Sequence, residues 1–317
     1  MQSLLDIPNN KSKRAEIQMG LKPLIQSSLR QDYRVTHPYH RLRLWLEGLR
    51  SKDKIVIYQM SKVGSTTIWK SLESLNLDIP IYHVHTLRHE QISRAIERDK
   101  ANFPKLRFMY PETIHSEYLR SQLDRNNIVN PWSVITLVRD PVAKLLSSFF
   151  QNLEREFLLG LDYRKKIKAE GDKKVLQEVI ERFYQEYVDN PSRTHPFEWF
   201  NFELRESLNV DLFAEHPLSG RTYYIYNTRL ARILLLKLES LNDSYQSAFQ
   251  DFLGLKNVNL VQANVGLQKR YKSLYKNFIK EVNLPVDYLD KIYQTELVRH
   301  FYSESEIEQF YQRWTSS

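Results

Sequence analysis

Lys62, Val63, Gly64, Ser65 and Thr66 run together as K-x-G-S-T between an apolar stretch at residues 54–58 and a helix expected to begin at Ser65. Those residue types in that order suit the holding of an anion. Gly64 lets the backbone approach closely, Ser65, Thr66 and Thr67 offer hydroxyl donors, and Lys62 offers an ammonium. The helix behind them aims its positive end and its unpaired amides at the same point. A nucleoside-triphosphate loop reads GxxxxGK[ST], with the lysine after the second glycine. Here the lysine comes before Gly64, and Tyr58, Gln59 and Met60 occupy the approach, so an ATPase or GTPase is disfavoured.

A second constellation lies at residues 131–151, PWSVITLVRDPVAKLLSSFFQ. Arg139 ends a strand expected over 133–138, the edge at which open α/β sheets hold ligands. Its guanidinium is a rigid bidentate fork for a phosphate, and the bland alternative is a surface ion pair. Asp140 reads as an N-cap and Pro141 as the first helical residue, which carries Leu145, Leu146, Phe149 and Phe150 toward a core. Ser147 taken alone is an ordinary helical serine.

A hydroxyl-activating base is sought in Tyr82-His83-Val84-His85-Thr86. Two-residue periodicity puts both imidazoles on one face, and imidazole titrates near neutrality. His85 is nearer the carboxyl end of its strand and is the first candidate; His83 is in reserve. Glu112 or His115 could serve if the segment between them and the strand folds over the site. Against these stand a pair of satisfied structural histidines, and a metal pair for which no third ligand is apparent.

K-x-G-S-T after one strand and R-D-P-x5-S after a later one resemble the two donor-binding motifs of sulfotransferases that use 3′-phosphoadenosine 5′-phosphosulfate (PAPS). The resemblance implies that Lys62, Val63, Gly64, Ser65, Thr66 and Thr67 hold the 5′-phosphosulfate. It further implies that Arg139 and Ser147, eight residues apart, hold the 3′-phosphate. Lys62 would neutralise charge on the departing phosphate oxygen, no metal would be needed, and His85 would resemble the histidine base of some sulfotransferases. Lys269 and Arg270 in NVGLQKRYKSLY would close over the 3′-phosphate, although the RKGxxGDW-like segment of cytosolic members is absent. The later chain, with ILLLKLESL and FYSESEIEQFYQRW, looks like the bacterial group labelled "putative capsular polysaccharide synthesis protein". The implied acceptor is a hydroxyl, of a carbohydrate or polysaccharide precursor. The competing readings are a kinase-like nucleotide enzyme and a non-catalytic capsular factor that keeps the nucleotide site.

The elements that must position these residues follow from the pattern. The expected fold is α/β, a P-loop-like doubly wound parallel sheet flanked by helices, with helical N- and C-terminal parts. Strands are expected at 54–58, 79–85, 133–138, 221–226 and 232–238. Residues 1–50 read as a helical extension packed on the core (helices at 11–29 and 37–50), and 51–317 as one domain with a helical insertion at about 151–209. Within the insertion, Phe197, Trp199, Phe200 and Phe202 could floor a sugar site or close a core, the latter being favoured. Trp69 or an aromatic near Tyr271 could stack on adenine, though helix packing is favoured for both. Further helices are expected at 262–281, at 287–300 and from Ser305, the last with a capping signal at 303–306.

Composition sets the outer bounds. At 317 residues, 42% hydrophobic and 12% aromatic, the chain can bury a full core. It has no cysteine, and a net charge of +8 that could steer an anionic donor or glycan. Lys and Arg are scattered, with no nucleic-acid-binding signature, so nucleic acid is not expected as a partner. No signal peptide or spanning segment is read. The default is a cytoplasmic protein, with peripheral association to a membrane-bound glycan assembly left open.

Overall fold

The computed structural model describes residues 33–49, 51–106, 110–126, 128–158, 166, 170–190, 198–214, 220–261 and 272–315. Among these, five strands and twelve helices form a mixed α/β fold around one continuous hydrophobic core. The strands are β1 (Ile55–Tyr58), β2 (Ile81–Val84), β3 (Trp132–Val138), β4 (Tyr223–Asn227) and β5 (Ala231–Lys237). They lie in the order β2-β1-β3-β5-β4.

β1, β3 and β5 are nearly continuous apolar runs, as strands covered on both faces must be, and their residues are almost all buried. β1 pairs in parallel with β2 on one side and with β3 on the other, Ile55 standing between Ile81 and Ser133. The strand order therefore reverses at β1/β3, and in open α/β sheets the crevice at the carboxyl ends of such a pair is the usual ligand position.

The sheet is not parallel throughout. β4 pairs antiparallel with β5. Only residues 228–230 join the two strands, and a parallel crossover needs a dozen or more residues, so a hairpin is the only geometry open to them. Thr228 closes that hairpin through backbone and hydroxyl bonds to Ala231.

The helices are α1 (Tyr33–Gly48), α2 (Ser65–Glu73), α3 (His89–Leu106), α4 (Pro111–Asp124), α5 (Pro141–Leu158) and α6 (Asp172–Phe183). There follow α7 (Glu206–Leu208), α8 (Leu241–Leu253), α9 (Lys272–Glu281), α10 (Val286–Tyr293), α11 (Glu296–Phe301) and α12 (Glu304–Thr315). α6 runs on into a π-helical turn, Tyr184–Val188, and a second such turn, Phe200–Arg205, leads into α7. The single helix expected over 287–300 is two, because Thr295 folds its hydroxyl back onto the Ile292 carbonyl and restarts the chain as the cap of α11. α12 begins with the expected capping box: Ser303 Oγ accepts the Glu306 N–H at 3.3 Å and the Glu306 carboxylate accepts the Ser303 N–H at 2.7 Å. The helix expected at 11–29 and the first part of that at 262–281 lie outside the described residues.

Three buried polar links tie α10–α12 to the carboxyl ends of β3 and β5. Asp140 is fully buried and accepts the Val142 N–H as an N-cap, the Tyr293 hydroxyl at 2.8 Å and the Trp314 indole N–H at 2.9 Å. Glu239 accepts the Asp140 N–H and the Tyr302 hydroxyl. Lys237, 2% exposed, is paired at 2.9 Å with both Glu306 oxygens. Asp140→Ala removes a cap and strands two buried donors, so unfolding in denaturant is expected to show a loss of about 3–5 kcal/mol. A loss below about 1 kcal/mol would mean that water replaces the carboxylate.

Candidate functional site

The site is assembled at the carboxyl ends of β1, β2 and β3. After Tyr58 the chain turns through Gln59–Gly64 into α2, and two residues of this turn hold left-handed backbone: Lys62 at φ +70° and Gly64 at φ +92°. Gly64 is required twice over, since a Cβ there would also stand 2.6 Å from Leu238 Cδ1. Lys62 adopts a conformation that a lysine seldom takes, and such strain is retained mainly where a site uses it. Gly64 caps α2 and supplies no side-chain acceptor to the amides of the first turn. Ser65 is buried; Thr66 and Thr67 are half-buried beside it.

Arg139, half-buried at the end of β3, donates Nη1 to the Lys62 carbonyl at 2.9 Å. The two motifs, 77 residues apart in sequence, are thus in direct contact, and Arg139 braces the left-handed turn instead of forming the surface ion pair that was the bland alternative. Ser147 lies half-buried on α5, two turns on. Between them is Lys144, which sequence reasoning missed. It is 8% exposed, and burial, with the like charge of Arg139, lowers its ammonium pKa to about 8. Among the described residues its ammonium has no hydrogen bond or ion pair, so this nearly buried cation lacks a counter-ion. Its spacing three residues before Ser147, on one helix face, was the available signal.

His85 stands on the other side of the loop. Its Nδ1 lies 2.9 Å from the Gln59 carbonyl oxygen, which can only accept, so Nδ1 carries the proton and Nε2 keeps the lone pair. Burial, with the nearby His83, lowers its pKa to about 4, and the ring is neutral at physiological pH. His83 and His85 do share a face, their ring centroids 4.9 Å apart. His83 is buried, lies against Trp69 and has Glu112 Oε1 3.5 Å from its Nδ1. Trp69 therefore packs on an imidazole, as helix packing anticipated.

Glu112 and His115 reach this place differently from the loop that was expected: both are on α4, which packs on β2. His115 Nδ1 meets the His83 backbone from behind the strand, at 3.2 Å from its nitrogen. Burial lowers its pKa to about 4 as well. Burial acts to raise the Glu112 carboxyl, but its close approach to His83 and the neighbouring imidazoles outweigh this and hold it at about 2.

These shifts have a consequence for acid stability. An unfolded histidine titrates near 6.5. Between pH 6.5 and about 4 the unfolded chain therefore binds protons that folded His85 and His115 refuse, and stability falls as pH falls through that window. A loss of about 2–3 kcal/mol per histidine is expected in denaturant titrations at successive pH values. His115→Gln should remove about half of the slope; an unchanged slope assigns acid lability elsewhere.

The aromatic run of the sequence divides two ways. Phe200 is in the core, Trp199 packs edge-on to Tyr58 and donates its indole N–H to the His85 carbonyl, and Phe202 is 43% exposed. The π-helical turn brings Glu203 inward, where it accepts bonds from the Tyr58 hydroxyl, Thr86 Oγ1 and the Leu87 N–H. Between this turn, α3 and α4 lies a cleft of about 530 Å³, lined among others by His85, Arg88, Arg94, Glu112, Trp199 and Phe202. Arg88 and Arg94 are each paired with a carboxylate, Glu206 and Glu90.

Lys269 and Arg270, expected over the 3′-phosphate, lie outside the described residues, as do Phe197 and Tyr271. Among the described residues no group of three or more His, Cys, Asp or Glu side chains is placed to hold a metal ion, and no helix is long and apolar enough to cross a membrane.

Residues 166–303 match the model of the NKWYS family, described as "Putative capsular polysaccharide synthesis protein". The matched stretch holds β4, β5 and α6–α11, whereas Lys62, His85, Arg139 and Ser147 all precede it. No curated protein and no solved structure matches the chain.

Proposed function

We propose that the chain is a sulfotransferase that moves a sulfuryl group from PAPS to a hydroxyl of a carbohydrate acceptor. What carries the reading is the meeting of K-x-G-S-T and R-D-P-x5-S at the strand-order reversal, with Arg139 bonded to the Lys62 carbonyl. The β1 turn and α2 together make a P-loop-like cradle for the 5′-phosphosulfate, and Arg139, Lys144 and Ser147 supply a cationic seat for the 3′-phosphate.

In the transfer the acceptor oxygen bonds to sulfur in line with the departing bridge oxygen. The sulfur–bridge oxygen bond breaks, and the acceptor proton passes to Nε2 of His85. Lys62 stabilises the charge left on the 5′-phosphate of 3′-phosphoadenosine 5′-phosphate. A base with a pKa near 4 is weak in the empty site, but the donor's negative charge raises it. The cleft beside His85 offers the exposed face of Phe202 and charge-balanced arginine–carboxylate pairs, features that suit the faces and hydroxyls of a sugar. The family matched by residues 166–303 is consistent with a glycan acceptor.

The test is calorimetric titration with 3′-phosphoadenosine 5′-phosphate against ATP with magnesium. Binding of the bisphosphate in preference supports the reading; preference for ATP favours a kinase-like enzyme, and binding of neither defeats both. His85→Ala should then lower turnover by about 10²–10⁴-fold while leaving bisphosphate affinity within about twofold. A chain that binds the bisphosphate tightly but transfers to no glycan would fit the non-catalytic capsular factor.

A further inference from the structure

α1 is inside out. Its inward face carries Thr36, His37, His40 and Leu44, while Val35, Tyr39, Leu42, Trp45, Leu46 and, one residue on, Leu49 are 40–66% exposed. These are six of the eleven large hydrophobics exposed among the described residues. Their spacing follows one stripe of an α-helix, and the Leu49 N–H continues the helical bonding to the Trp45 carbonyl. The helix is held by its polar side: His37 and Arg41 both pair with Glu117 of α4, and Gly48 passes so close to Tyr118 that a Cβ would stand 1.9 Å from its hydroxyl oxygen. That anchoring fixes the apolar stripe outward.

We propose that this face docks on an anionic lipid surface. The stripe is bordered by Arg34 and Arg41 on one side and by Arg43, which pairs with Glu47, on the other. Beside it runs a groove of about 450 Å³ in which Trp45 and Leu49 form apolar wall and Arg41 and Arg125 supply positive charge. Apolar side chains with Trp and Tyr at their margins and arginines at the rim match an interface of acyl chains below acidic headgroups. The same charges oppose the other available occupants. In a symmetric dimer the arginines of α1 would face their own copies. Residues 1–32 would bring Lys11, Lys13, Arg14, Lys22 and Arg30 against them, with only Asp6, Glu16 and Asp32 to offset. This inference does not rest on the proposed sulfuryl transfer.

The full chain is sedimented with vesicles of equal phosphatidylglycerol and phosphatidylcholine and with vesicles of phosphatidylcholine alone. Beside it are run the triple variant Leu42→Ser, Trp45→Ser, Leu46→Ser and the double variant Arg41→Gln, Arg43→Gln. Wild type is expected to bind the mixed vesicles, less so as salt rises, and each variant to bind about tenfold more weakly. The triple variant should keep its melting temperature and its mass in light scattering. Failure to bind the mixed vesicles, or equal binding by the triple variant, overturns the proposal. So does a halved mass in the triple variant, which assigns the stripe to a second copy, or a marked fall in its melting temperature, which assigns it to the chain itself.

Discussion

Lys144→Met is expected to make the protein more stable and its proposed donor site markedly weaker. In the folded chain burial, with the charge of Arg139, holds the Lys144 pKa at about 8, against 10.5 for an ordinary lysine. Below pH 8 the ammonium is charged in both states, and the folded state bears the full penalty. Between about 8 and 10.5 the unfolded chain holds the proton that the folded chain has released, so wild-type stability rises with pH across that window. Methionine fills the same space without charge, and at pH 7 it should raise the unfolding free energy by about 2–3 kcal/mol, with the slope above pH 8 abolished. Binding of 3′-phosphoadenosine 5′-phosphate should fall by about 10–100-fold, the worth of one charge-assisted bond to a phosphate. In the wild type that binding should also weaken above pH 8, as the empty site loses its proton. A variant that is less stable and binds the bisphosphate normally would make Lys144 a structural cation, and would leave Arg139 and Ser147 to hold the 3′-phosphate.

Loss of Lys62 is expected to have a large effect on rate. If its ammonium meets the charge that develops on the bridging oxygen, Lys62→Ala should reduce turnover by about 10²–10³-fold, the usual scale for one preorganised group of this kind. Because Lys62 sits at φ +70°, alanine inherits the strain and leaves stability nearly unchanged. Lys62→Gly relieves it, and should match or exceed wild-type stability by up to about 1 kcal/mol while being as inactive as the alanine variant. The pair thus separates the charge from the backbone. Turnover within about threefold of wild type in both variants would remove Lys62 from the chemistry, and Arg139, which bonds the Lys62 carbonyl and not its side chain, would stay in place in either case.

How much was legible in the sequence differs from element to element. The buried runs of β1, β3 and β5 announce themselves because a strand covered on both faces needs continuous apolar residues. α5 starts at Pro141 because an aspartate and a proline fix a helix start locally, and the Ser303/Glu306 capping box is equally local. The antiparallel turn of β4 was also encoded, in the three residues before β5, and was obscured by the βαβ pattern upstream. By contrast, the second role of Asp140 could not be read. Tyr293 and Trp314 are more than 150 residues away, and nothing near Asp140 in the chain signals a buried acceptor in need of them.

The same division runs through the site. Local residue types determined that a small-residue loop with a lysine follows β1, that an arginine follows β3, and that two histidines at the end of β2 share a face, since each follows from short-range geometry or spacing. Only the tertiary structure decided that Arg139 braces the Lys62 turn, that Gln59 fixes the His85 tautomer, and that Glu112 and His115 arrive on a helix and not a loop. Likewise, a lysine in mid-helix gives no local sign that it will be buried without a counter-ion. Burial and charge pairing are set by residues distant in the chain, so the protonation states on which the proposed chemistry depends emerge when the sheet closes and the helices cover it.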